Sequence, residues 1–123
     1  MGHPDPKRGK RKRDSRISRD TIAREPWCVI CEDARSQSAH HIVKRSQGGD
    51  DVLANTVGVC GDGVRGCHGR LEAREVNALR ALGFYLLTER PDFLDYLEDF
   101  CGDGTRALAW FERNLAYVRR PGD

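Results

Sequence analysis

The chain has 123 residues, 33% of them charged, a formal net charge of +2 and a mean hydropathy of −0.66. A domain of this length buries little surface, so one compact unit held by an added constraint such as a bound metal is expected. No apolar run approaches the roughly 18 residues that span a bilayer, and the N-terminus is too basic and too poor in apolar residues for a secretory signal, which leaves a soluble, cytoplasmic protein with no membrane partner as the expectation.

The small net charge conceals an asymmetry. Residues 7–24, KRGKRKRDSRISRDTIAR, hold nine Lys and Arg against two Asp, a local +7 that leaves −5 for the rest. Such a segment without apolar periodicity reads as a basic, flexible arm over residues 1–24, with order beginning near Trp27. It would gain affinity for phosphate backbones by counterion release, through residues such as Arg11 and Arg13. A solvated extension that only aids solubility is the other reading.

From Trp27 the chain forms a short apolar turn around Cys28-x-x-Cys31, then a polar loop, EDARSQS, leading into Ala39-His40-His41-Ile42-Val43, which reads as a short strand. The Gly-Gly turn in SQGGDD reverses the chain, and residues 52–60 supply a loop and a second strand ending at Cys60. After the Gly-rich GDGVRG, residues 68–83 read as one helix with Leu71, Val76, Leu79 and Leu82 near one face and Gly83 as its stop. Pro91 suits the first turn of a further helix that buries Phe93, Leu94, Leu97 and Phe100 and ends at Gly102. Thr105 or Asp103 could cap a last helix bearing Leu108, Trp110, Phe111, Leu115 and Val118, whose aromatic residues are core rather than a base-stacking surface. This gives an arm (1–24), a core (25–83) and a helical extension packed on it (84–123), in an α+β fold without repeats.

Five cysteines are present. Cys28, Cys31, Cys60 and Cys67 fall in two closely spaced pairs, as the ligands of a tetrahedral zinc site do, and a reducing compartment suits thiolates better than disulfides. Four thiolates close the coordination shell, so zinc there would be structural. Cys101 stands apart and reads as a packed or free thiol. Of the four histidines, His40, His41 and His68 fall within or beside the region the cysteines bracket. Neighbours on a strand point to opposite sides, so His40 and His41 can serve separate tasks, one binding a metal and the other facing water or substrate. His68, which follows Cys67, would be brought back toward His40 once the cysteines are joined. Surface histidines, and an alternative zinc ligand in His68, are the plainer readings.

The ordered set C-x-x-C, His-His-Ile, GG-x-D-x-x-x-N, Cys and Cys-His resembles the His-Asn-His (HNH) endonucleases, common in phages and mobile elements, over Cys28 to Glu72. The resemblance implies a small ββα-metal core, a metal-dependent nuclease that nicks DNA to 5′-phosphate and 3′-hydroxyl ends, and DNA and phage packaging proteins as partners. By it, His40 and His68 bind a catalytic divalent ion, His41 is the general base and Asn55 is the middle Asn that fastens the loop and helps orient the base. Glu72, one turn after His68, is where some relatives place a further ligand, although a solvated helix carboxylate is the simpler reading. Mg2+ or Mn2+ is the expected ion, with Ni2+ or Zn2+ also suited to imidazoles. Lys44, Arg45, Arg65 and Arg70 are available to phosphates. The alternative is a zinc-stabilised, non-catalytic DNA-binding or assembly module. A zinc deaminase is disfavoured by the missing H-x-E and P-C-x-x-C pattern.

Overall fold

The computed structural model describes residues 12–115, so Arg11 of the expected arm and Val118 of the last helix lie outside the described residues. Among the described residues, the fold mixes five α-helices with one two-stranded antiparallel sheet. Ser38–His41 (β1) and Thr56–Val59 (β2) pair so that His40 lies opposite Val57 and His41 opposite Thr56. A two-stranded ribbon is marginal by itself in water. Here β2 is buried along its whole length, because helices α1 (Ile17–Arg24) and α2 (Gly66–Glu72) both pack on the strands.

Helix α1 is a correction to the expected arm, since order begins well before Trp27. Ile17 and Thr21, one turn apart, are its buried residues, and the Thr21 hydroxyl meets that of Thr56 at 2.7 Å. Two inward residues among so many charges leave little periodicity to detect. The chain just before α1 is stitched down as well: Lys12 N donates to Asp50 Oδ1 at 2.8 Å, Asp51 N to the Lys12 carbonyl at 2.9 Å, and Asp14 N to Asp51 Oδ2 at 3.0 Å.

The segment between the strands carries two one-turn 3-10 helices, Arg45–Gln47 and Leu53–Asn55. Between them the expected Gly-Gly turn is required twice over. Gly48 has φ +99°, and a Cβ on Gly49 would lie 1.8 Å from the Val43 carbonyl oxygen.

The single helix expected from His68 to Gly83 is instead two. The chain breaks after α2, where Arg74 takes the left-handed region at φ +59° and donates its N–H back to Leu71 O, with Glu75 N bonded to Arg70 O. An arginine in this role gives no glycine signal to read. Helix α3 (Val76–Glu89) then runs straight through Gly83. That glycine is buried, and a Cβ there would sit 3.4 Å from the Phe111 ring, so it permits close helix packing rather than ending a helix. A boundary at residues 83 and 84 therefore falls inside α3. Val76, expected on the inner face, is 50% exposed.

Helices α4 (Pro91–Cys101) and α5 (Gly104–Asn114) follow the expected pattern. Pro91 opens α4, Phe93 and Leu97 are buried, and Gly102 ends it at φ +102°. Asp103, not Thr105, caps α5 by accepting from Arg106 N at 2.8 Å. Trp110, Phe111 and Leu115 join Leu82, Leu86 and Phe93 in the same core that contains Val57, Leu71, Cys28 and Cys67, while Leu108 lies near the surface. No helix among the described residues is long and apolar enough to cross a membrane.

A buried ion pair ties these layers together. Arg90, at the junction of α3 and α4, donates to Glu25 Oε2 at 3.0 Å and to the carbonyls of Thr56 at 3.0 Å and Leu53 at 2.8 Å. Glu25 also accepts from the Tyr85 hydroxyl and from Gly58 N. Both charges are nearly sealed from solvent, and although Arg24 lies 3.4 Å from Glu25, removal of Arg90 strips this carboxylate of its closest cation. Arg90→Ala is expected to cost about 3–5 kcal/mol of unfolding free energy in a urea titration; a loss below about 1 kcal/mol, the scale of an exposed pair, would show that this network does not hold the helices to the hairpin.

Candidate metal centres

The first centre is the thiolate group. The sulfurs of Cys28, Cys31, Cys60 and Cys67 all lie within 4.8 Å of one another, and Cys31 Sγ is 3.9 Å from Cys60 Sγ. Zn–S bonds of about 2.3 Å in a tetrahedron put sulfurs about 3.8 Å apart, so the spacing fits. The long interval from Cys60 to Cys67 closes because Asp62 and Arg65 exchange backbone hydrogen bonds at 3.0 and 3.2 Å. Asp62 Oδ1 also accepts from Val64 N and Arg65 N, each at 2.9 Å. GDGVRG is thereby folded into a tight turn, and Cys67 N points at Cys60 Sγ from 3.4 Å.

The thiols respond unequally to this crowding. Burial acts to raise Cys28, but backbone N–H groups at Cys31, Cys60 and Ile30 outweigh it and bring the thiol down to about 7. Burial pushes Cys60 up, and burial with the neighbouring thiols pushes Cys67 up further. Four thiolates at this spacing need a cation among them. The cysteines could thus hold a metal ion, and the set is compatible with structural zinc. Cys101 is a free thiol packed partly against the core, away from this group.

The second centre joins His40, His68 and Glu72, each offering a ligand atom within 4.8 Å of the others. His40 Nδ1 is 3.1 Å and His68 Nε2 3.5 Å from the same oxygen, Glu72 Oε2. Adjacent ligands at bonds of about 2.1 Å are separated by about 3.0–3.4 Å, so these residues also suit a divalent ion. Glu72 is not the freely solvated carboxylate that sequence favoured. The hydrogen bond from His40, helped by Lys44 Nζ at 3.0 Å, holds its pKa at about 2.

Ser38 was missed in the sequence, and it decides how His68 presents itself. Its hydroxyl gives its one proton to the Gly61 carbonyl at 2.8 Å. Its contact with His68 Nδ1 at 2.7 Å must then be accepted from the ring. His68 therefore carries its proton on Nδ1 and turns the Nε2 lone pair toward Glu72. Burial, with His40 adding, lowers the His68 pKa and favours this neutral ring. An imidazole lone pair and a carboxylate oxygen facing one another are two acceptors that a cation would reconcile.

His41, the next residue of β1, meets a different partner. Its Nε2 lies 2.9 Å from Asp51 Oδ1, and burial lowers its pKa despite that carboxylate. Asp51 was not singled out in the sequence beyond its place in GG-x-D. Asn55, fully buried, does fasten the loop: Val43 N donates to its Oδ1 at 2.8 Å, and its Nδ2 donates to the carbonyls of Val43 at 2.9 Å and Asp50 at 3.0 Å. It has no side-chain bond to His41 among the described residues; it holds the segment that carries Asp51.

The cations expected to meet phosphates are mostly engaged with the protein. Lys44 is paired with Glu72, Arg45 grips Asp51 with a two-pronged contact at 2.9 and 2.8 Å, and Arg70 is paired with Glu75. Arg13 donates to the carbonyls of Lys12 at 2.9 Å and Gly49 at 3.1 Å. Arg65 is exposed, and its guanidinium has no ion-pair partner among the described residues.

Serine at Cys28 or Cys67 is expected to abolish stoichiometric zinc and lower the melting temperature, measured by metal analysis beside thermal unfolding. Full zinc occupancy in both variants would remove the thiolates from consideration. No family model matches the chain, and neither the curated proteins nor the solved structures contain a match to it.

Proposed function

We propose that the chain is a metal-dependent DNA endonuclease of the His-Asn-His type, built on a ββα-metal core with a structural zinc. The observation that supports this best is the convergence of His40, His68 and Glu72 from a strand and a helix on one point, with a neutral histidine, His41, next to it in sequence. Hydrolysis of a phosphodiester needs an activated water, relief of growing negative charge and help for a poor leaving group. A divalent ion at the second centre, Mg2+ or Mn2+ with Ni2+ or Zn2+ as other candidates, supplies Lewis-acid stabilisation of the phosphate and the leaving oxygen.

The chain's own residues do the rest. His41 is half-buried with its pKa lowered, so it is neutral at cellular pH and able to take a proton from the attacking water. Asn55 keeps the segment from Val43 to Asp50 closed. Lys44 sits against Glu72, where its ammonium can also meet a phosphate oxygen. The basic residues before α1, with Arg65, provide sequence-independent affinity for the backbone. A place beside a phage DNA-packaging machine is in keeping with the resemblance.

A second reading, a zinc-stabilised DNA-binding or assembly module that does not cut, is favoured by one observation. The Lys44 ammonium already neutralises Glu72, which is what a charge cluster without a second metal would require.

Plasmid nicking decides between them. Activity is expected to vanish with EDTA and return with Mg2+ or Mn2+. His41→Ala is expected to lose at least about a hundredfold in rate with zinc content unchanged, and undiminished nicking by that variant would end the nuclease reading. Calorimetric titration of the zinc-loaded protein with Mn2+ is expected to show one further site that Glu72→Ala weakens and His40→Ala or His68→Ala removes. Absence of that site in the parent protein would favour the module.

A further inference from the structure

The contacts around Asp51 go beyond loop closure. Its carboxylate is 2% exposed and gathers four donors. Arg45 Nε and Nη2 approach at 2.9 and 2.8 Å, Asp14 N at 3.0 Å and His41 Nε2 at 2.9 Å. We propose that Asp51 is the positioning residue of His41, fixing the ring in the tautomer protonated on Nε2 so that Nδ1 is the atom that takes the proton from water. This rests on the nuclease reading for its last clause, but not for the tautomer.

The assignment follows from donor and acceptor chemistry. An ionised carboxylate only accepts hydrogen bonds. The Arg45 guanidinium, the Asp14 N–H and the His41 contact together hold the Asp51 carboxyl well below the usual range against the cost of its burial, so it stays ionised. A neutral imidazole 2.9 Å away must then put its single proton on Nε2. Nδ1 is left with its lone pair and has no hydrogen-bond partner among the described residues, while the side chain retains 17% of its exposure. The arrangement has the logic of a carboxylate that orients a catalytic imidazole without accepting its proton. In the reaction, water gives its proton to Nδ1 as its oxygen forms the new bond to phosphorus, and the leaving oxygen departs with the electron pair of the broken P–O bond. The imidazolium that results is paired directly with the Asp51 charge.

Long-range 1H–15N correlation spectra of the full-length, zinc-loaded protein test this without reference to turnover. They are recorded at pH about 8, where an ordinary imidazole is neutral. The His41 ring is expected to show a protonated Nε2 and an unprotonated Nδ1 in the parent protein, and to lose that preference in Asp51→Asn, which keeps the side chain's shape. The same variant is expected to lose about a hundredfold in kcat for DNA nicking with KM within about threefold, the pattern of a contribution to chemistry rather than to binding. A parent ring protonated on Nδ1 would overturn the proposal whatever the variant does, and so would an Asp51→Asn protein with unchanged tautomer and kcat. A parent protein that shows the expected ring but never nicks DNA would sink the nuclease reading alone, because the spectra would still have established what Asp51 does to His41.

Discussion

Everything in this molecule hangs on the closure of four sulfurs that are far apart in the chain. Cys28 and Cys31 precede the hairpin, Cys60 directly follows its second strand, and Cys67 lies in the first turn of α2, yet all four sulfurs fall within 4.8 Å of one another. A ribbon of two four-residue strands has little stability of its own. Joining its two ends at one cluster fixes the hairpin and the start of the following helix in a single step. Cys28 and Cys67 are also members of the hydrophobic core, so the cysteine cluster and the packed interior are one structure. His68 is the residue after Cys67, and its approach to His40 follows directly from where the sulfurs put α2.

What could be read from the sequence was what is encoded locally. The cysteine pairs, the adjacent histidines, the Gly-Gly turn, Pro91 and Gly102 can each be recognised from residues within a few positions of themselves, and the four cysteines do fall together. The features that escaped notice are set by distant partners. Helix α1 is held by Thr56 across 35 positions, Glu25 and Arg90 meet across 65, and Gly83 makes sense only beside Phe111. The same division runs through the candidate site. Glu72 could be placed at helical spacing from His68, but its turn toward His40 depends on the hairpin. Ser38 and Asp51 looked like ordinary loop and turn residues until the atoms they face were known.

Charge is distributed with the same economy. The local excess of cations before residue 25 suggested an arm free to meet phosphate, yet its C-terminal portion is folded as α1 and stitched to the loop through Asp50 and Asp51. Lys44, Arg45 and Arg70 are each neutralised by a nearby carboxylate. A polyanion would have to compete for these side chains with partners already at hydrogen-bond distance, which makes such contacts more selective in geometry than a bare positive surface would be.

The consecutive placement of Cys67 and His68 has a consequence for how this chain could vary. One residue serves each cluster, so helix α2 has a fixed rotational phase: inserting a single position between them would swing the imidazole by about 100° around the helix axis and away from His40. The turn just before it is held as firmly by the Asp62–Arg65 pairing, and only the Val64 side chain at its tip, 83% exposed, stands clear of the packing. Natural variants of this architecture should therefore vary in side chain at residue 64 while keeping the turn's length and the cysteine and histidine contiguous.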